Sequence, residues 1–261
     1  MTIDNLDLSA LLPVVQSWAR ESGAIHMKYF RSANLEIGTK YNEYDVITQA
    51  DKESEALLLK HIHEAFPEHA ILAEESGEEN HPSKWRWVID PLDGTTNYSI
   101  GLPIFCVSIA LEYEGESVLG VVYAAYLDEM YSAVKECGAT LNGQPLNCSK
   151  KTSLAQSVVC TGLPVNKKEN PDNNLGALNR VGLEVRGLRR LGSAAVDLCY
   201  VGAGFLDAFW ELALHRWDIA AGRLIASEAG ARVELYRLDR PYSIIAAAPG
   251  LFDNLKELVE D

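Results

Sequence analysis

The sequence predicts an α/β protein, and three observations carry that prediction. From about residue 149 onward, strands read at 158–161, 186–191, 206–210, 232–235 and 243–247 alternate with helical stretches, as in an α/β layer. Before that point, 106–113 and 118–126 read as an antiparallel hairpin around Glu114-Gly115, and 130–134 with the Asn142-Gly143 turn continues a strand-rich stretch to about 145. Finally, 261 residues at 48% hydrophobic and 23% charged suffice for a sizeable core.

In chain order, 8–30 reads as an amphipathic helix, with Leu8, Leu11, Leu12, Val15, Trp18, Ala19 and Ile25 on one stripe and Gly23 inside it. A short strand is expected at Leu35-Glu36-Ile37. A second helix opens at Asp51, which there reads as a plain N-cap, and Pro67 stops it. Ile71-Leu72-Ala73 is a short strand that runs into Glu74-Glu75-Ser76-Gly77, and another strand spans 85–89. In the second half, 163–174 is a polar loop and 174–181 a weak helix. Gly192-Ser193 opens an apolar helix to about 203. Asp218 starts a helix that Gly230 ends, and Pro249 begins the last one. The composition shift places a junction near 147, giving an α+β part (1–147) and an α/β part (148–261) without a flexible linker.

Charge and cysteine usage narrow the function classes. A formal net charge of −14 argues against a nucleic-acid binder, which wants a basic face. No apolar run approaches the roughly 20 residues of a membrane span. Residues 1–12 lack a basic-then-apolar leader pattern, and Cys106, Cys137, Cys148, Cys160 and Cys199 show no CxxC pair. These features lead us to expect free thiols in a reducing cytoplasm.

The chemistry is concentrated in Trp87-Val88-Ile89-Asp90-Pro91-Leu92-Asp93-Gly94-Thr95-Thr96-Asn97. An apolar strand ends in two carboxylates, and Pro91 keeps Asp90 extended at the strand tip. Gly94 permits a close turn whose amides can face an anion. Acids followed by an anion cradle make sense if a cation sits between carboxylate and phosphate. Ala73-Glu74-Glu75 and His215-Arg216-Trp217-Asp218 repeat the pattern of an apolar or aromatic run ending in acid. Convergence of Glu74, Asp90, Asp93 and Asp218 would crowd like charges that hard divalent cations relieve. Taken singly, each of these acids reads as a cap or a solvated group.

This stretch resembles the signature of the inositol monophosphatase family, within the Mg²⁺-dependent, Li⁺-sensitive phosphatases. Asp45-Val46-Ile47-Thr48-Gln49-Ala50-Asp51 is similar to the family's D-x-x-T-x-x-D element. Glu74-Glu75-Ser76 is similar to its acidic pair, Gly192-Ser193-Ala194-Ala195 to its G-[ST]-A-A turn, and 211–220 to its late W-D segment. The resemblance implies a layered sandwich of alternating helix and sheet layers, two or three Mg²⁺ per active site, and a homodimer. It implies that Glu74, Asp90, Asp93, Asp218 and the Leu92 carbonyl bind metal. Asp51 and Thr95 would activate water, and the Gly94 and Thr95 amides would hold phosphate. Gly192, Ser193, Ala194 and Glu211, with Asp93 and Asp218, would contact the substrate.

The activity so implied is hydrolysis of a small polyol phosphate, with myo-inositol 1-phosphate first. Histidinol phosphate, fructose 1,6-bisphosphate and a nucleotide 3′-phosphate are the enzymatic alternatives, and a non-catalytic regulatory protein on the same scaffold is the distant one. Other motifs are weaker. His61 and His63 lack a zinc-site pattern and read as surface or partly buried groups. Gly202-Ala203-Gly204 lacks the third glycine of a dinucleotide fingerprint. Arg186, Arg189 and Arg190 read as facing solvent or a subunit interface, with contact to a second anionic group as the minor reading. Lys167 and Lys168 read as solvated.

Overall fold

The expected hairpin forms the middle of a large sheet. The computed structural model describes residues 1–39, 46–237, 239–240 and 242–260; Asp45 of the expected D-x-x-T-x-x-D element lies outside them. A small clip, β1 (Thr2–Ile3) with β2 (Leu6–Asp7), leads into α1 (Leu8–Tyr29), where Asp7 accepts from the Ser9 and Ala10 amides. β3 (Ile37–Thr39) pairs with β4 (Val46–Thr48), and α2 (Gln49–Ala65) follows at once. Then come β5 (Ala70–Ala73), β6 (Gly77–Glu79), β7 (Trp85–Asp93), the short α3 (Thr95–Ser99), β8 (Cys106–Tyr113), β9 (Glu116–Ala124), β10 (Glu129–Val134), β11 (Ala139–Leu141) and β12 (Gln144–Pro145). The second half adds β13 (Val158–Thr161), α4 (Leu175–Glu184), β14 (Gly187–Arg189), α5 (Ala194–Gly202), β15 (Ala208–Glu211), α6 (Arg216–Glu228), β16 (Arg232–Leu235), β17 (Ile244–Ala247) and α7 (Phe252–Glu260).

The eight-stranded sheet has the order β12-β11-β10-β9-β8-β7-β5-β6, antiparallel except where β5 runs parallel to β7. A five-stranded sheet, β14-β13-β15-β17-β16, is parallel about β13 and antiparallel about β17. Strand alternation sorts the core into layers. Trp87, Ile89, Ile109 and Leu111 pack under α1 and α2, whereas Val88, Ala110 and Val122 meet Ala195, Ala221 and Ile225 of α5 and α6. The other face of α5 and α6 packs on Phe209 and Ile244, and α4 and α7 cover Val159, Trp210 and Ile245 from outside. The result is helix, sheet, helix, sheet, helix. The expected α/β layered sandwich is observed.

Several boundaries differ from expectation for identifiable reasons. Asp51 is not the N-cap of α2. Thr48 caps it by accepting from the Ala50 amide, and Asp51 is the third helical residue, reaching back to the Thr48 amide in a capping box. Asp218 likewise falls three residues after the cap of α6, its carboxylate accepting from the His215 amide. β7 does not end at Ile89. It continues to Asp93 through a register shift, Asp90 opposite Ser108 and Asp93 opposite Cys106. β14 is shorter than 186–191, and α7 begins at Phe252 rather than Pro249.

The central helix layer lies very close to the large sheet. A Cβ on Gly120 of β9 would stand 3.0 Å from the Ala221 carbonyl oxygen and 3.1 Å from its Cα, both backbone atoms of α6. Gly120→Ala is therefore expected to cost about 1–3 kcal/mol, read as a lower urea midpoint with an unchanged m-value. An undiminished midpoint would show that α6 can retreat freely from the sheet.

Candidate active site

The site is built where strand ends and helix starts converge, because those are the places where backbone amides remain available to carboxylates. Asp90 is buried (1% exposed), with one oxygen accepting from the Leu92 amide at 2.9 Å. Three residues later, Asp93 accepts at 2.7 Å from the Ser193 hydroxyl and at 2.7 Å from the Ala195 amide in the first turn of α5. Asp218 accepts from the His215 amide at 2.6 Å. Burial raises the carboxyls of Asp90 and Asp218 well above the carboxylate range. Like charge adds to that: Glu74, Asp93 and Asp218 act on Asp90, and Asp93 and Glu74 act on Asp218. Asp93 is pushed to about 6 by burial, against the opposing pull of its Ser193 and Ala195 donors. As they stand, no three acid, histidine or cysteine side chains among the described residues are drawn together closely enough to hold a metal ion. Asp90, Asp93 and Asp218 each turn an oxygen toward a backbone amide, and Asp90 also meets the Glu74 carboxyl. An all-oxygen donor set of this kind suits a hard cation such as Mg²⁺ rather than a soft one.

Asp51 stands beside this cluster and feels the Glu74 charge. Its Oδ2 accepts from the Thr48 amide at 2.8 Å and the Thr48 hydroxyl at 2.5 Å. Its Oδ1 faces the Thr95 hydroxyl at 3.0 Å, and the same hydroxyl lies 2.8 Å from the Leu92 carbonyl. Thr95 has one proton, so it donates to one of these at a time. Burial raises the Asp51 carboxyl to about 6, the largest of the influences on it. It is therefore mostly ionised at neutral pH and able to accept a proton. Gly94 precedes Thr95 with φ +91°, and a Cβ there would stand 2.8 Å from the Ile104 carbonyl oxygen. Both conformation and space require glycine.

Next to the carboxylates opens a cavity of about 160 Å³, whose walls include Asp93, Gly192, Ser193, Ala194, Glu211 and Asp218. Six of the eight residues expected to bind substrate thus share one cavity; Gly94 and Thr95, expected to hold its phosphate, are not among its walls. Glu211 ends β15, and burial pushes its carboxyl to about 8 despite the opposing charge of Arg190. A larger cavity, about 520 Å³, lies beside α4 and α7 and contains none of the expected site residues. Its arginines are engaged: Arg237 with Asp172 and Asp239, and Arg180 with the Leu258 carbonyl. The expected substrate-contacting side chains line the smaller cavity instead.

The sequence profile of the inositol monophosphatase family matches residues 7–257. The chain belongs to the inositol monophosphatase family. It is 42% identical over 224 residues to an inositol-1-monophosphatase of Mesorhizobium japonicum, covering 85% of this chain and 84% of that protein. It is 37% identical over 259 residues to the Nus factor SuhB of Pasteurella multocida, covering 97% of each. The inositol monophosphatase of Anabaena superposes with a TM-score of 0.86 at 35% identity, over 98% of this chain and 97% of that one.

Within this family fold, several contacts escape inspection of the sequence. Asn97 donates to the Ile104 and Leu191 carbonyls at 2.8 and 2.7 Å, tying α3 to the turn before α5. Gly162 follows β13 directly beneath Glu211: a Cβ there would stand 1.9 Å from the Glu211 carboxylate. Asn174 secures that strand end, donating to the Gly162 carbonyl at 2.7 Å and accepting from the Trp210 indole at 2.8 Å. Arg190, expected mainly at solvent or an interface, is exposed but also lines the cavity. His61 and His63 meet Glu21 and Glu79, each at 2.9 Å, away from the cavity. Only a composition-blind signal, the glycine after an apolar strand, hints at Gly162.

Gly162→Ala is expected to displace Glu211 and lower kcat/KM for a polyol phosphate by about 10-fold or more, the effect of losing a positioned hydrogen-bonding group, with KM rising. An unchanged KM would show that Glu211 does not set substrate fit. The raised acids also predict a pH dependence. Protons bind these groups more tightly in the folded chain, so the stability they confer is present at low pH and lost as pH rises through the folded values. Buried His26, lowered from 6.5 to about 4, works in the opposite sense only below 6.5. Between pH 6.5 and 8.5 Glu211, raised to about 8, carries this loss, and the raised Asp90, Asp218 and Asp197 act in the same direction. In EDTA the melting temperature should fall across that window, by roughly 2–4 °C per kcal/mol of linkage, and saturating Mg²⁺ should flatten the slope. A flat profile in EDTA would contradict the crowded-carboxylate picture.

Proposed function

We propose that this chain is a Mg²⁺-dependent, Li⁺-sensitive phosphomonoesterase that hydrolyses small polyol phosphates, myo-inositol 1-phosphate first. The observation that carries the reading is the Thr95–Asp51 pair standing at the edge of a buried carboxylate cluster. Glu74, Asp90, Asp93, Asp218 and the Leu92 carbonyl would hold two or three Mg²⁺. When bound, Mg²⁺ supplies Lewis-acid charge to the phosphate and to the attacking and departing oxygens. The chain's own part is positioning and proton transfer. With its proton directed to Asp51, the Thr95 oxygen can accept a proton from water, and the Leu92 carbonyl is released from Thr95. Asp51, raised to about 6, is matched to receiving that proton near neutral pH. The Gly94 and Thr95 amides would meet the phosphate. Glu211 at the cavity wall suits hydrogen bonds to the hydroxyls of a polyol, and Gly192, Ser193 and Ala194 shape the wall beside it.

We read the site as shared by residues 1–147 and 148–261, in a homodimer of the cytoplasm. The five free cysteines support a reducing compartment. Among the described residues no helix is long and apolar enough to cross a membrane. The Nus factor name of several relatives favours a second reading, in which the scaffold serves as such a factor with or without turnover. The full set of expected carboxylates supports retained catalysis.

The deciding experiment measures phosphate release with Mg²⁺ from inositol 1-phosphate, histidinol phosphate, fructose 1,6-bisphosphate and adenosine 3′,5′-bisphosphate, with and without Li⁺. Inositol 1-phosphate should be preferred and Li⁺ inhibitory. Asp93→Asn should lower kcat by about 10³-fold, the scale of losing a central electrostatic group, while the circular dichroism spectrum is kept. Parent-like turnover in that variant would sink the carboxylate assignment. Absence of release from every substrate would favour the non-catalytic reading.

A further inference from the structure

Between Asp90 and Asp93, Pro91 and Leu92 occupy one side of β7 opposite a single residue of β8, because the register jumps from Ser108 to Cys106. Such a bulge removes backbone groups from the ladder, and a buried carbonyl then needs another partner. The Pro91 carbonyl finds two, both from the helix layer beneath. His26 of α1 meets it through Nε2 at 2.8 Å, and the Ser54 hydroxyl of α2 donates to it at 3.0 Å. A carbonyl can only accept, so His26 carries its proton on Nε2. Ser54 spends its one proton on Pro91, so the Ser22 hydroxyl, 2.5 Å away, is the donor in the Ser22–Ser54 pair.

His26 is an expensive residue to place there. It is fully buried, its Nδ1 has no hydrogen-bond partner among the described residues, and burial lowers its pKa to about 4. Tyr98 and Phe105 meet its ring edge-on at 6.2 and 5.9 Å. An apolar residue would fill the same space without orphaning a nitrogen. What the histidine gains is the bond to Pro91, and its own carbonyl accepts from the Tyr98 hydroxyl at 2.6 Å. Tyr98 belongs to α3, the helix that Gly94 and Thr95 begin. One residue of α1 therefore grips both limbs of the turn, Pro91 before Asp93 and Tyr98 after Thr95.

We propose that His26 and Ser54, with Ser22 behind Ser54, are positioning residues that hold the Pro91 carbonyl and so aim Asp90, Leu92 and Asp93 as a unit for cation binding. The proposal rests on the Mg²⁺ reading above. It assigns the α1–α2 hydroxyl and imidazole cluster a role in metal affinity, apart from its packing.

Isothermal titration of the metal-free protein with Mg²⁺ tests it, alongside melting curves in EDTA. His26→Leu should weaken Mg²⁺ binding by about 10-fold or more, the usual effect of losing an outer-shell hydrogen bond. His26→Gln, whose amide can donate from nearly the same place, should restore affinity to within about 3-fold, on the scale set by the same outer-shell effect. Ser54→Ala, a milder change that keeps the fold if His26→Leu does not, should weaken binding in the same direction. Melting temperatures lowered in all variants with Mg²⁺ affinity unchanged would overturn the proposal and leave the cluster purely structural. Gln no better than Leu would overturn it too. A parent protein that takes up no Mg²⁺ would overturn the metal reading itself, and this proposal with it.

Discussion

Everything about this fold answers to one electrostatic constraint, the gathering of carboxylates from four separate segments around one small space. Asp90 is 1% exposed and Asp51 0% exposed, and each feels the Glu74 charge. Burial alone disfavours the ionised forms, and mutual repulsion adds to it. A chain left to minimise its own free energy would not assemble such a group. On the proposed reading, bound cations would offset that cost, and this is why the donor chemistry outranks cavity size as a guide to function.

The means of assembly are local and repeated. Asp51 and Asp218 both sit three residues after a helix cap, and both fold back onto the cap amide. A capping box fixes a carboxylate without any distant contact, and its remaining oxygen faces away from the helix. Asp93 uses the converse device, receiving donors from the start of α5, where Ser193 both caps the helix and donates to it. Two helix starts and one strand bulge thus deliver charge to a point. Small residues set the distances between those devices: Gly120 brings α6 onto the sheet, and Gly162 leaves room for Glu211.

The devices within a few residues of each other were legible in the sequence, and the contacts across the chain were not. The run from Trp87 to Asn97 announced both acids and the turn, because Pro and Gly punctuate backbone conformation wherever they occur. The layer pattern followed from alternation in 106–134 and 158–247. Asp51 was legible as a helix start but misplaced by three residues, since Thr48 and Asp51 share one capping box and either can look like the cap. Gly162 beneath Glu211, Asn97 against Leu191 and His26 against Pro91 join residues that are far apart in the chain. His26 lies on the buried stripe of α1, where periodicity registers only that something is inside. Spacing carries no information about which strand end that stripe will meet.

The distribution of positive charge completes the picture. With a net charge of −14 the chain has few cations to spare, and the described structure commits many of them to joints. Arg86 and Arg216 both bind Glu112, which is 1% exposed, fastening the first turn of α6 to the large sheet two residues before Asp218. Lys151 binds Asp207 at the start of β15, and Arg237 binds Asp172. Leaving the buried Glu112 or Asp207 without its cation would be costly, so Arg86, Arg216 and Lys151 are not available to a ligand. Arg190 is the cation on the wall of the small cavity, and Glu211 and Asp197 already draw on its charge. An anion approaching Asp93 and Asp218 therefore meets a negative field that the neighbouring side chains do little to reverse. If phosphate binds here as proposed, its recognition would fall to bound cations acting with the amides at Gly94 and Thr95, and the affinities for anion and for cation would then be one coupled quantity rather than two.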